Sequence, residues 1–245
     1  MNTQTCFRSI LKPKEDVSSK IPVVTGAEIL ARKDEASEPI HIESGARMAI
    51  VGDASRKSAF CEWLAGYTQP PGGRIEFWLG AAALGSAPLR KRHSAILGRA
   101  PATYGETIQD AVLFRASNVA KKALYGFIER FYSPSLKARM SPRNPLLDRE
   151  GRHVPLRSLT AREQLEVAQI NVMLQRTALV VFDLSSAFFR KALAEGFRPA
   201  RVLLESGKTI LAILPSPCEL VGNDADMVEW AAETMAFAFT GMIKV

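Results

Sequence analysis

The sequence predicts an α/β domain with a largely parallel central sheet. Short apolar runs at residues 46–51, 178–182 and 209–214 have the length and composition of buried strands. Segments of helical period lie between them, and strands alternating with helices give a parallel sheet covered on both faces. A strand–loop–helix unit spans residues 46–66, with glycine at both ends of its loop and helix.

Each element has its own signal. Residues 1–20 are polar, contain Pro13 and read as a flexible leader. Apolar residues recur over 21–30 without a helical stripe, which predicts an early strand. Residues 39–43 (PIHIE) alternate with period two before a turn at Ser44-Gly45. The run ARMAIV (46–51) predicts a buried strand, and residues 57–66 a helix closed by Gly66. Pro70-Pro71-Gly72-Gly73 is a turn, and residues 74–78 (RIEFW) form the next strand. Ile108, Val112, Leu113, Leu124, Phe127, Ile128 and Phe131 fall at spacings that pack helices on one face within 105–132. Four prolines between 133 and 157 (Pro134, Pro142, Pro145 and Pro155) make that stretch mostly loop. Thr160 and Glu163 form a capping box, in which each side chain bonds the other's backbone N–H, and the helix runs on to 176. The strand at 178–182 ends in Asp183, and that at 209–214 is stopped by Pro215.

Composition bounds the function classes. The chain has 245 residues, 47% hydrophobic and 23% charged, which is ordinary for one soluble α/β domain and excludes a wholly disordered chain. A net charge of +7 allows an anionic partner. The basic clusters Arg90-Lys91-Arg92 and Lys121-Lys122 are scattered, with no accompanying aromatic or helix-turn-helix signal, so no nucleic acid is expected as partner. Cys6, Cys61 and Cys218, with His41, His93 and His153, form neither a disulfide framework nor a metal-ligand spacing. No signal peptide is apparent, and no apolar run approaches the ~20 residues that cross a bilayer. These features predict a reduced, cytoplasmic protein.

The candidate chemistry sits in the loop Gly52-Asp53-Ala54-Ser55-Arg56-Lys57-Ser58. Backbone N–H groups at a helix N-terminus can cradle phosphates, a lysine neutralises them, and a hydroxyl holds Mg²⁺. Gly52, Lys57 and Ser58 are therefore the candidate phosphate-binding residues, and Ser58 with Asp183 the candidate Mg²⁺ ligands. The loop is one residue short of the phosphate-loop pattern, Arg56 replaces its second glycine, and Asp53 adds a negative charge. The competing readings are an ordinary turn with Lys57 and Ser58 on a first helical turn, and Asp183 as a turn cap. Phe188-Phe189 are expected to serve core or interface packing rather than a nucleotide contact.

The order and spacing of landmarks over residues 45–230 resemble the nucleotide-binding domain of ATP-binding cassette (ABC) transporters, particularly the exporter-type branch. Met48-Ala-Ile-Val-Gly52, Trp63-Leu-Ala-Gly66 and Pro71-Gly-Gly-Arg-Ile-Glu-Phe77 look like the phosphate loop, its helix and the next strand. Ala95-Ile-Leu-Gly-Arg99-Ala-Pro101 falls at the Q-loop position and Thr107–Phe114 follows as in exporters. Glu150-Gly151 and Leu159-Thr160-Ala-Arg-Glu-Gln164 take the signature position. Leu179-Val-Val-Phe-Asp183 takes the Walker B position, with Ser185-Ser186-Ala187 after it. The resemblance implies a P-loop-type ABC ATPase fold with a mostly parallel core sheet over 21–245, and a helical subdomain at about 105–160. It implies ATP and Mg²⁺ as ligands, a membrane-spanning transporter subunit and a competent ABC ATPase subunit as partners, and a place at the inner face of a membrane.

The catalytic landmarks are altered. Arg99 stands at the Q-loop glutamine position, Thr160-Ala161-Arg162 at the signature Ser-Gly-Gly, Leu184 at the catalytic glutamate and Pro215 at the switch histidine. Leucine cannot polarise water and proline has no side-chain hydrogen-bonding group. Arg162 is expected to crowd a nucleotide held by a partner. No aromatic residue lies between Phe7 and Phe60 to stack adenine. The expectation is an ABC-like subunit with degenerate motifs and no catalytic residues, a non-hydrolysing partner in a membrane export assembly. The alternatives are an active ATPase subunit energising export of a lipid, polysaccharide or peptide, and a regulatory scaffold on the P-loop fold without a transport role.

Overall fold

The computed structural model describes residues 26–32, 38–68, 73–98, 105–114, 121–175, 177–216 and 223–245. The leader expected at 1–20, residues 21–25 of the expected early strand, the turn residues 70–72 and Arg99 lie outside the described residues.

β1 (Ala27–Arg32) and β2 (Ile40–Ile42) pair antiparallel, and β3 (Arg47–Val51) leads into α1 (Ala54–Leu64). β4 (Arg74–Leu79) pairs with β1 and with β5 (Ala82–Ala83), giving a four-stranded antiparallel sheet in the order β2-β1-β4-β5. α2 (Ala87–Arg92) precedes β6 (Ser94–Leu97). The helices α3 (Ile108–Leu113), α4 (Lys121–Phe131) and α5 (Pro134–Arg139) follow, then a 3₁₀ turn at Leu156–Ser158 and α6 (Ala161–Leu174). The chain completes with β7 (Leu179–Asp183), α7 (Ala187–Ala194), α8 (Arg201–Leu204), β8 (Thr209–Ile213), α9 (Asp224–Met235) and β9 (Gly241–Lys244). β6, β7, β8, β3 and β9 form, in that order, a five-stranded sheet in which every pair is parallel. The α/β class with a parallel core is as the sequence predicts.

All five residues of β7 and of β8 are buried, as central strands covered on both faces must be. One face carries Val181, Leu211 and Ile213 against Phe60, Cys61 and Leu64 of α1 and Ile29, Ile42 and Phe77 of the antiparallel sheet. The opposite face carries Val180, Phe182, Ile210 and Ala212 in one cluster with residues of α3, α4, α6, α7 and α9. Thr209 joins the two sheets: its hydroxyl donates to the Ala27 carbonyl at 2.5 Å and accepts from the Gly45 N–H at 3.0 Å. Phe189 is fully buried, edge-on to Phe182 and Phe197 with ring centres 6.2 and 5.5 Å away, so it serves the core as expected.

Three differences from the sequence reading have identifiable causes, the first two of them local. α1 begins at Ala54 rather than 57, because Asp53 caps it. α5 interrupts the stretch read as loop, since its Pro134 occupies the first helical turn, where a missing N–H costs nothing, and Ser133 caps it. The antiparallel sheet goes beyond the sequence reading for a non-local reason: its paired strands β1 and β4 are short and separated by residues 33–73.

Candidate functional site

β3, β7 and β8 end side by side at one edge of the parallel sheet, where Asp183 is in register with Ile213. Such carboxyl ends are where open α/β sheets hold their ligands. Gly52 follows β3 with φ +121°, a conformation that favours glycine, and the backbone of Val245 packs where a β-carbon would stand. Val245 is held there by its N–H, which donates to the Val51 carbonyl at 3.0 Å.

The N-terminus of α1 is already provided with an anion. The Asp53 carboxylate accepts from the N–H groups of Ser55 and Arg56 at 3.0 and 3.2 Å and from the Ser55 hydroxyl at 2.5 Å. The Ser55 hydroxyl bond, foremost, and the Arg56 N–H hold its pKa below the ordinary aspartate value. A helix N-terminus attracts one negative charge to its unpaired N–H groups, and here the chain supplies it.

Lys57 is fully buried, and its Nζ donates to the Leu214 carbonyl at 2.6 Å and lies 3.5 Å from the Ser216 hydroxyl. It is therefore neither a surface residue of the first helical turn nor a lysine projecting into open space. It ties α1 to the segment leaving β8. Ser58, half-buried, follows it on α1. Asp183 is buried at the end of β7 and accepts from the Ser185 hydroxyl at 2.6 Å. Leu184, at the position of the catalytic glutamate, is fully buried in the core, and Pro215 is buried beside Lys57's acceptor. Among the described residues no group of three His, Cys, Asp or Glu side chains is placed to hold a metal ion.

The signature-position segment is held by carboxylates. Thr160 and Glu163 form the predicted capping box, with bonds of 3.2 and 2.9 Å. Glu163 is buried and also receives Arg139 Nη1 at 3.1 and 2.9 Å on its two oxygens. Arg162, expected to crowd a nucleotide held by a partner, is engaged within its own chain: its Nε pairs with Glu166 at 2.8 Å, one turn along α6, and its N–H bonds Glu195 at 2.9 Å. The guanidinium lies along its own helix towards the end of α7. Glu166 in turn accepts from the Ser133 N–H at 2.9 Å, joining α6 to the start of α5. The i,i+4 spacing of Arg162 and Glu166 is the signal in the sequence that foretells this turn.

No protein-family model and no curated protein sequence matches the chain. Among solved structures it is similar to a bacterial Atm1-family ABC exporter with ATP bound, at 16% identity and a TM-score of 0.53. That match covers 86% of this chain and 42% of the exporter, so the chain spans less than half the exporter's length. It is also similar to CbiO1 from Clostridium perfringens, part of the ABC transporter complex CbiONQ, at 16% identity and a TM-score of 0.52 over 81% of each chain. Together with the parallel sheet and the strand–loop–helix at Gly52, these likenesses give the chain the P-loop fold of the ABC ATPases.

Proposed function

We propose that the chain is an ABC-type ATP-binding-like subunit whose nucleotide site has become structural, acting as a non-hydrolysing partner in a membrane export assembly. The observation that carries this reading is the fully buried Lys57, whose ammonium is bonded to the Leu214 carbonyl. Three further features support it. Asp53 supplies a negative charge where phosphate would meet the helix N-terminus. Leu184 is buried at the general-base position, and Pro215 takes the switch position. In this arrangement the residues do not fit Mg²⁺-ATP: a triphosphate would meet the Asp53 carboxylate and a lysine already engaged, with Val245 against Gly52. No catalytic step is derived for this chain.

Residues 105–160, holding α3 to α5, take the role of the helical subdomain. No helix among the described residues is long and apolar enough to cross a membrane, and the partner expected for a transport role is a membrane-spanning transporter subunit. Crowding at Gly52 and the internal engagement of Lys57 argue against a symmetric ATP-driven pair, and the expected assembly is an asymmetric one with a competent ABC ATPase subunit. Steady-state hydrolysis by purified protein tests the reading. Loss of a general base alone costs about 10²- to 10⁴-fold, so turnover is expected far below ~1 s⁻¹. Turnover near that rate, abolished by Lys57→Ala, overturns it. Light scattering with and without Mg²⁺-ATP supplies the second reading: an ATP-dependent symmetric dimer contradicts the proposal.

A further inference from the structure

Between α5 and the 3₁₀ turn at Leu156 the chain runs through residues 140–155 without a helix or strand. Loops longer than about 12–15 residues are uncommon inside a domain unless they are disordered or bind something. This one is ordered. The Ser141 N–H donates to the Leu147 carbonyl and the Asp148 N–H to the Arg152 carbonyl, both at 2.9 Å. The Asp148 carboxylate closes the second of these turns, accepting from the Glu150 and Arg152 N–H groups at 2.9 and 2.8 Å. Met140, Leu146 and Val154 are buried in the core cluster and pin the loop to the domain. Pro142, Pro145 and Pro155 restrict its backbone further.

What this framework exposes is cationic. All four cations of residues 140–157 are arginines. Arg152 meets Asp148 and Glu150 at 2.9 and 2.7 Å. Arg143, Arg149 and Arg157 are exposed, and none of them pairs with a described carboxylate.

We propose that this loop docks a carboxylate-rich segment of a partner polypeptide, whose acids pair with Arg143, Arg149 and Arg157. Three observations select that partner. A guanidinium takes both oxygens of a carboxylate through two parallel bonds, which lysine cannot do, and arginine is enriched at protein interfaces where lysine is depleted. Asp148 and Glu150, set among the arginines, repel a uniformly anionic surface such as nucleic acid or an anionic bilayer. A polypeptide can place an uncharged residue opposite them. The ordered backbone also lowers the entropy lost when the arginines are engaged. The proposal is independent of whether the loop at Gly52 binds nucleotide.

Fluorescence anisotropy of the full chain with a labelled peptide of alternating glutamate and serine tests it, with oligothymidylate and phosphatidylserine vesicles titrated in parallel. The expected result is saturable binding of the peptide that weakens with added salt. Reversing the three charges together (Arg143→Glu, Arg149→Glu and Arg157→Glu) weakens it about tenfold or more, the combined scale of three exposed ion pairs. Because these side chains are exposed and unpaired, the fold is kept. The milder Arg→Gln changes at the same positions shift binding in the same direction. A control with the same change in net charge elsewhere (Arg74→Glu, Arg92→Glu and Arg201→Glu) stays within about twofold of the parent, since screening isolates distant charges. Absence of saturable peptide binding to the wild-type chain overturns the proposal, as does a loop variant that binds like the parent. A control variant weakened as much as the loop variant overturns it too, leaving net charge alone. Oligothymidylate or vesicles that bind more tightly than the peptide, and lose binding in the loop variant, overturn the choice of a polypeptide.

Discussion

Truncating Lys57 to alanine separates a structural lysine from one reserved for phosphate. The side chain is fully buried and its ammonium meets the Leu214 carbonyl at 2.6 Å. Alanine deletes three buried methylenes, each contributing ~0.8 kcal/mol. It also takes from the Leu214 carbonyl its ammonium donor, and a buried acceptor left unsatisfied costs about 1–3 kcal/mol. Relief of the ammonium's own desolvation offsets part of this loss. The net expectation is a destabilisation of about 2–4 kcal/mol, read as a lower urea midpoint at unchanged slope. A lysine that waits for phosphate behaves in the opposite way: removing it leaves the unliganded chain as stable as before and abolishes stabilisation by Mg²⁺-ATP. A variant within about 0.5 kcal/mol of the parent, the scale of ordinary surface substitutions, combined with wild-type protein that Mg²⁺-ATP stabilises, refutes the structural assignment.

Further expectations rest on separate groups. Asp53→Ala exposes the first amides of α1, so hydrogen exchange at Ser55 and Arg56 accelerates, whereas Asp53→Asn, which still caps, leaves it near the parent rate. Asn171 donates from Nδ2 to the Val112 and Phe114 carbonyls at 3.1 and 2.9 Å, closing the end of α3, and Asn171→Ala should cost about 2–4 kcal/mol in denaturant unfolding. Lys208 is buried against the Thr177 carbonyl, and burial lowers its pKa to about 8. The unfolded chain therefore binds the extra proton above that pH, and this lysine makes stability rise between pH 8 and about 10. Lys208→Met should remove that rise in thermal unfolding measured across the interval, and a wild-type profile that is flat or falling there contradicts the assignment.

The parts of the fold that were legible in the sequence are those whose cause is local. β7 and β8 announce themselves because a central parallel strand is apolar at every position, as residues 179–182 and 210–213 are. The Thr160–Glu163 capping box was readable because both of its bonds span three residues. α5 was hidden because proline reads as a breaker unless its place in the first turn is known. The antiparallel sheet was hidden for another reason: β1 pairs with β4, whose residues Arg74–Leu79 lie far along the chain and carry no turn signal linking the two. At the site, the identities of Gly52, Lys57, Ser58 and Asp183 could be read, but not what engages them. Lys57 is bonded to a carbonyl 157 residues away, and a backbone acceptor leaves no mark in a sequence. Asp53 could be seen as a charge in the wrong place, and its geometry makes it the helix's own cap. The internal engagement of Arg162 was only half legible, since Glu195 comes 33 residues later whereas Glu166 lies one turn on.

The central claim, that this nucleotide site has become part of the framework, is tested most directly by calorimetric titration of the wild-type chain with ATP, with and without Mg²⁺. Internal engagement of Lys57 and the Asp53 cap predict no saturable heat up to ~1 mM nucleotide, equivalent to binding weaker than about −4 kcal/mol, and no effect of Mg²⁺. Saturable one-to-one binding in the micromolar range that requires Mg²⁺ and disappears in Lys57→Ala would contradict it.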